Sequence, residues 1–407
     1  MISLEQYLRE SAVPRSTIDT FLDPTRPTWA QFDSDVGYIL GNALPHDGLD
    51  GCWTLSSTQN NGARTAHLYA GKPCRLNTYG DSFTQCHQVS DGETWQEYLA
   101  GHLGEPIRNF GMGGLGVYQA YRRMIRTEQT DDRAQYNLLY LWGDDHSRSL
   151  LRCRYPAFYR NWDNLGGMMF HGNFWSHLEM NLDSGKIEEQ GNLLPTHESL
   201  YHMTDPDFMF DSLKDDLMLQ LYVAGSIDPA TLDLDRLNRL AKLLGTPALD
   251  ASTPERLNDS SYLLRNAYGF AASKFILERA FDFCRIRGKK LMIPLLCPTV
   301  TWELLANKPR YDQEIISYLE EKGYPYFDMN QVHLRDYRNF NLSIEDYLKR
   351  YFIGHYNPVG NHFFAYSIKD VLVQWMDPKP ITYRNDGSRM MDFKGYLPDR
   401  ENEKSKV

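Results

Sequence analysis

Three sites far apart in the chain carry residue types that together suit acyl transfer. They are Ser82 on the turn Gly80-Asp81-Ser82, the glycine cluster Gly111, Gly113, Gly114 and Gly116, and His355 in the stretch His355-x-Asn357-x-x-Gly360. A serine hydroxyl is a weak nucleophile until an imidazole accepts its proton. The oxyanion formed on attack needs preorganised donors, and the backbone N–H groups of Ser82 and Gly114 are candidates because glycine lets backbone approach a substrate closely. A fourth group, Gly143-Asp144-Asp145-His146 followed by Arg148, reads three ways. Its acids can cap a helix, accept from substrate hydroxyls or ligate a metal. Arg148 either neutralises these acids or holds an anionic group, and ion pairing is the commoner use. With Asp81 and Asn357, the residues Asp144, Asp145, His146 and Arg148 make up the candidate substrate-contacting set.

Chemistry requires that elements bring these positions together, although 273 residues separate Ser82 from His355. Short apolar runs at Cys74–Tyr79, Glu105–Asn109, Leu138–Trp142, Lys290–Cys297 and Tyr324–Met329 read as strands, the third bounded by Gly143 as a doubly buried strand should be. Helical patterns alternate with them. The capping box Ser90-x-x-Glu93 leads into Trp95, Tyr98, Leu99 and Leu103, and Val117, Ala120, Tyr121, Met124 and Ile125 recur at helical spacing. Tyr262–Arg287 and Asp312–Lys322 are further helices, and Asn357-Pro358 suits the cap and first turn of a last one. Five strands interleaved with helices predict an α/β fold, a three-layer doubly wound parallel sheet that binds ligands beyond the carboxyl ends of its strands. Each candidate group follows such an end or precedes the last helix, so the loops should converge.

The stretches YGDSFTQCHQVSDGETW, IRNFGMGGLGVYQA and GHYNPVGNHFFA resemble, in order, the nucleophile, glycine and histidine blocks of the SGNH hydrolases, the GDSL-type esterases and lipases. With the strand–helix order, the resemblance spans about residues 64–150 and 262–376. It implies a flavodoxin-like sheet, ester hydrolysis without a cofactor, Ser82 as nucleophile, Gly114 as an oxyanion donor and His355 as general base. Two positions depart from the family. Asp145 stands where an asparagine normally donates to the oxyanion, and only a protonated Asp145, its pKa raised by burial and by Asp144, could do the same. Phe352 stands three residues before the histidine, where an aspartate normally orients the ring. A backbone carbonyl, Glu345, Asp346 or an acid from the insertion must then take that place.

Composition bounds the rest. The formal charge of −10 opposes sequence-independent nucleic-acid binding and adsorption to anionic membranes, and 53 aromatic residues supply a large core. No apolar run reaches the length of a membrane span, and the first residues do not read as a secretory signal. Six cysteines without C-x-x-C spacing fit a reduced, cytoplasmic protein. The expected organisation is an N-terminal extension over 1–70, a catalytic domain over 71–150 and 262–380, an insertion over 151–261 and a polar tail over 385–407. The insertion can wall the pocket, and its Trp162, Phe170, Phe174, Trp175 and Tyr201 either stack on sugar rings or form a core of their own. Its histidines His171, His177, His197 and His202 fit no compact zinc motif, so neither metal nor cofactor is expected. The expected activity is hydrolysis of an ester, a small acyl group on a carbohydrate or other polar molecule. Acid/base chemistry on a glycosidic bond by Asp144, Asp145 and His146, or ligand binding without turnover, are the alternatives.

Overall fold

Short apolar runs become strands seated between helices in the computed structural model of the chain, which describes residues 1–161 and 166–384. β1 (Ala30–Asp33) and β2 (Gly37–Leu40) form an antiparallel hairpin in the N-terminal extension. β3 (Leu76–Tyr79), β4 (Ile107–Asn109) and β5 (Tyr136–Leu139) follow, then a second hairpin of β6 (His177–Asn181) and β7 (Lys186–Gln190) within the insertion. β8 (Lys290–Leu295) and β9 (Tyr326–Asp328) complete the main sheet. Its order is β4-β3-β5-β8-β9 with every neighbour parallel. The order reverses between β3 and β5, and in open α/β sheets ligand clefts form at such a reversal.

Both faces of the sheet are covered. Successive strand residues alternate between two buried clusters, Leu138 and Met292 on one side, Leu139 and Ile293 on the other. Leu99 of helix Trp95–Leu103 and Phe364, Ile368 and Leu372 of helix Pro358–Trp375 fill the first cluster. Val117 and Met124 of helix Val117–Thr127 and Ile276, Leu277 and Ala280 of helix Pro254–Ile286 fill the second. Each fully buried large aliphatic or aromatic side chain contributes about 1.5–3 kcal/mol relative to exposure. The second cluster continues into the N-terminal extension through Leu8, Ile18 and Tyr38, and into the insertion through Phe170, Phe174, Trp175 and Leu178. Extension and insertion therefore share one core with the sheet.

Several boundaries differ from the sequence reading. The capping box of Ser90 and Glu93 closes a single 3-10 turn, and the helix proper starts after Thr94, whose hydroxyl accepts from Glu97 N. The long helix begins at Pro254 under a Thr253 cap, because the polar run Asn258-Asp259-Ser260-Ser261 masks its first turns. β5 ends at Leu139, and only Leu141 beyond it still pairs, with Leu295. Phe170, Phe174 and Trp175 are fully buried, with Trp175 Nε1 donating to Leu151 O, so they are core rather than a stacking surface. Trp162 and the tail 385–407 lie outside the described residues. Among the described residues no helix is long and apolar enough to cross a membrane.

Candidate active site

The loop that carries Ser82 is built by caps and one buried cation. Asp81 Oδ1 accepts from Phe83 N at 2.9 Å and so starts the short helix Ser82–Gln85 directly beyond β3. The chain then doubles back through two left-handed residues, Cys86 (φ 62°) and Gln88 (φ 71°). Arg64, to which the sequence reading assigned no role, fixes that turn from inside. It donates to the carbonyls of Gln85 (2.6 Å), Cys86 (2.7 Å) and Val89 (2.5 Å), while its Nε meets Asp91 at 2.7 Å. The glycine loop beyond β4 packs against the same segment. A Cβ on Gly111 would sit 2.2 Å from Gln85 N, so only glycine fits there. Gln85 Oε1 accepts from Gly113 N at 2.7 Å.

Ser82 and His355 meet. Ser82 Oγ lies 2.8 Å from His355 Nε2, and the other ring nitrogen, Nδ1, lies 3.0 Å from Gln88 Oε1. Gln88 Oε1 also accepts from His355 N at 2.8 Å, and Gln88 Nε2 donates to the backbone carbonyl of Asp47 at 3.0 Å. The acceptor on Nδ1 is thus neither Glu345 nor Asp346. Glu345 is 77% exposed and paired with Lys349, and Asp346 accepts from Ser343 Oγ. Phe352 stacks on Tyr356 at 4.6 Å and lies beside Phe83, forming an apolar wall three residues before His355. A second imidazole adjoins the first: His87 lies 4.8 Å from His355 between ring centres, and its Nε2 is 2.8 Å from Asp47 Oδ2. Burial, and then the neighbouring His87, push the His355 pKa well below the ordinary histidine value, while Asp47 opposes them. His355 is therefore neutral near pH 7, the state in which it can accept a proton.

The candidate oxyanion donors are two backbone N–H groups and one acid. Among the described residues, the N–H groups of Ser82 and Gly114 have no acceptor. Gly114 adopts φ +82°, and a Cβ there would be 2.7 Å from Arg154 Nη1 and 2.8 Å from Tyr38 Oη. Asp145 is buried, accepts from Arg148 Nη1 at 2.9 Å and from Trp142 N at 3.3 Å, and begins a single helical turn. Arg148 Nη2 pairs with Asp144 Oδ1 at 2.6 Å. Burial and then Asp81 raise the Asp145 pKa well above the carboxylate range, against the pull of Arg148. Burial also lifts Asp81 to about 6. One buried guanidinium thus serves three neighbouring acids, which cannot all ionise cheaply.

Other expected contact residues are engaged elsewhere. His146 is buried against helix Pro254–Ile286, with Nδ1 2.7 Å from Ser273 Oγ, and burial lowers its pKa to about 4. Asn357 caps the last helix by accepting from Gly360 N, and its amide donates to Arg350 O. In the insertion His177 bonds Glu179, while His197 and His202 pack on Phe32 and Phe208. Among the described residues no group of three or more His, Cys, Asp or Glu side chains could hold a metal ion. In comparisons with known proteins, the chain matches no family model and no curated protein.

Sequence reasoning missed Arg64, Gln88, His87 and Asp47. Three of these lie within reach of signals that were present. A Gln directly after a His in the loop behind a candidate nucleophile, and an Arg before β3 with Asp91 beyond that loop, are the marks of a built turn.

Proposed function

We propose that the chain is a serine hydrolase of the SGNH type that cleaves an ester, most simply a small acyl group on a carbohydrate or another polar molecule. The single observation that carries this reading is the 2.8 Å contact of Ser82 Oγ with His355 Nε2, at the carboxyl end of β3 where the sheet order reverses. Ser82 Oγ attacks the ester carbonyl as its proton passes to Nε2. The N–H groups of Ser82 and Gly114 receive the oxyanion, and Asp145, driven toward its protonated form, adds a donor where the family uses asparagine. The C–O bond to the alcohol then breaks as Nε2 returns the proton to the leaving oxygen. Water repeats the cycle, releasing the acid and restoring Ser82.

The glycosidic alternative is weaker, because Asp144 and Asp145 are tied to Arg148 and His146 is turned into the packing against Ser273. The test is intact-mass spectrometry after exposure to a small serine-directed fluorophosphonate, with turnover of an activated acetyl ester alongside. One adduct that disappears in Ser82→Ala, together with loss of turnover, is expected. A folded wild type that takes up no adduct overturns the reading.

A further inference from the structure

We propose that Gln88 is the positioning residue for His355, a neutral amide in the place where serine hydrolases of this kind use a carboxylate, and that the N-terminal extension sets its direction through Asp47. The inference rests on the serine-hydrolase reading for its catalytic meaning, and on three hydrogen bonds for its geometry. Oε1 accepts from both His355 N (2.8 Å) and His355 Nδ1 (3.0 Å), and Nε2 donates to Asp47 O (3.0 Å). These bonds leave the amide one orientation. Rotating it by half a turn would set an NH2 against the His355 backbone N–H and an oxygen against the Asp47 carbonyl. With Oε1 facing the ring, the proton of neutral His355 resides on Nδ1 and the lone pair of Nε2 points at Ser82 Oγ, which is the tautomer a general base needs.

The loop is arranged for this contact. Gln88 holds φ 71°, a conformation that a residue with a side chain adopts rarely, and Arg64 clamps carbonyls on both sides of it. Gly354, just before the histidine, leaves room: a Cβ there would sit 2.9 Å from Gln88 Oε1. Packing alone would not require a polar side chain aimed at the backbone N and ring Nδ1 of one residue. A neutral acceptor orients the ring without adding negative charge to it. The charged or titratable groups that face the imidazole are His87 from the same loop, Asp47 from the extension and Arg148 from the segment after β5. Of these only Asp47 favours the imidazolium, and its carboxylate is already shared by His87 Nε2 and Thr54 Oγ1. The carboxylate that favours the imidazolium is thus engaged by His87 and Thr54, and the amide occupies the acceptor position on Nδ1 itself.

The test uses the full chain with two substitutions, Gln88→Leu and Gln88→Glu, folding being checked by circular dichroism. Imidazole 15N shifts of His355, assigned against His355→Asn, report the tautomer, and fluorophosphonate labelling of Ser82 is followed from pH 4 to 9. Wild type should show the Nδ1–H tautomer. Gln88→Leu should lose that preference and label about 100-fold more slowly, the scale of a misplaced catalytic group. Gln88→Glu should keep the tautomer and move the acid limb of the labelling profile upward by about 1 pH unit or more, since a carboxylate beside the ring stabilises its protonated form. A merely structural glutamine would leave the tautomer and the pH limb in place. A folded Gln88→Leu with the wild-type tautomer and labelling rate overturns the proposal, and if that variant fails to fold, an unmoved limb in Gln88→Glu does so. Absence of labelling in wild type would strike the hydrolase reading alone, because the 15N shifts still decide whether Gln88 fixes the ring.

Discussion

Arg64 Nε and Asp91 Oδ1 lie 2.7 Å apart with both side chains almost completely buried, and the remaining Arg64 donors reach the carbonyls of Leu55, Gln85, Cys86 and Val89. The pair therefore braces the turn that carries His87 and Gln88. Replacing Arg64 by methionine keeps much of the volume but leaves Asp91 as an uncompensated buried charge. Loss of one partner of a buried pair costs about 3–5 kcal/mol. Urea unfolding of Arg64→Met should show a loss of that size, and labelling of Ser82 should slow because the loop no longer holds its shape. A variant within about 1 kcal/mol of wild type would mean that the turn holds without the guanidinium, with Asp91 carried by the N–H and hydroxyl of Ser57.

Gly111 makes a sharper claim about the same loop. The atoms that a new Cβ would meet are backbone, Gln85 N at 2.2 Å and Thr84 C at 2.5 Å, so no side-chain rotation can relieve the contact. Gly111→Ala should lower stability by about 3 kcal/mol, the upper range of overpacking, and should displace the segment that follows Ser82. Gly71, whose Cβ would meet nothing within 4 Å, is the control, and Gly71→Ala should stay within about 0.5 kcal/mol of wild type. Thermal unfolding of the two variants side by side checks the contrast.

The parallel sheet was legible because its strands are short apolar runs punctuated by glycine, and because helical periodicity is strong in helix Val117–Thr127. The meeting of Ser82 and His355 was legible because one sits at a strand end and the other just before a helix start, where topology brings loops together. The orienting group was not. Gln88 is 267 residues from His355, and nothing in the spacing of Phe352, Glu345 or Asp346 shows that an amide from the first loop fills the gap. The extension was equally opaque. Its weak periodicity hides the fact that Asp47 reaches the site through a backbone carbonyl, an interaction that leaves no mark on side-chain type. The aromatic residues of the insertion left two uses open, and the burial of Phe170, Phe174 and Trp175 decides for core.

The depressed pKa of His355 gives a pH signature. Burial and His87 keep the imidazole unprotonated below its ordinary value of 6.5. Labelling of Ser82 should therefore stay flat as the pH falls through 6.5 and decline only well below it. The stability contribution runs with the same sign. The unfolded chain protonates this histidine below about 6.5 while the folded chain resists, so this residue's share of stability falls as the pH drops, and His146, lowered to about 4, adds a second such share. A labelling profile with its midpoint at 6.5 would show an imidazole open to solvent and contradict the buried geometry.

Asp145 behaves in the opposite way, and substitution by asparagine separates its two effects. A carboxyl whose folded pKa is raised from 3.8 binds protons that the unfolded chain has already released, so wild type loses stability as the pH rises through that interval. Asp145→Asn cannot ionise, and its Oδ1 can still accept from Arg148 Nη1. Its NH2 would then face Trp142 N, from which Oδ2 accepts in wild type, so the variant should start below wild type at pH 4 and gain on it as the pH rises toward the folded pKa. Unfolding measured at pH 4 and pH 8 reads this difference directly. Under the proposed hydrolase reading the amide would donate at every pH, whereas the acid would donate only while protonated. Labelling of Ser82 in Asp145→Asn should therefore hold its rate on the alkaline side where wild type declines. Identical alkaline limbs in the two proteins would remove Asp145 from the oxyanion side and leave the N–H groups of Ser82 and Gly114 as its donors.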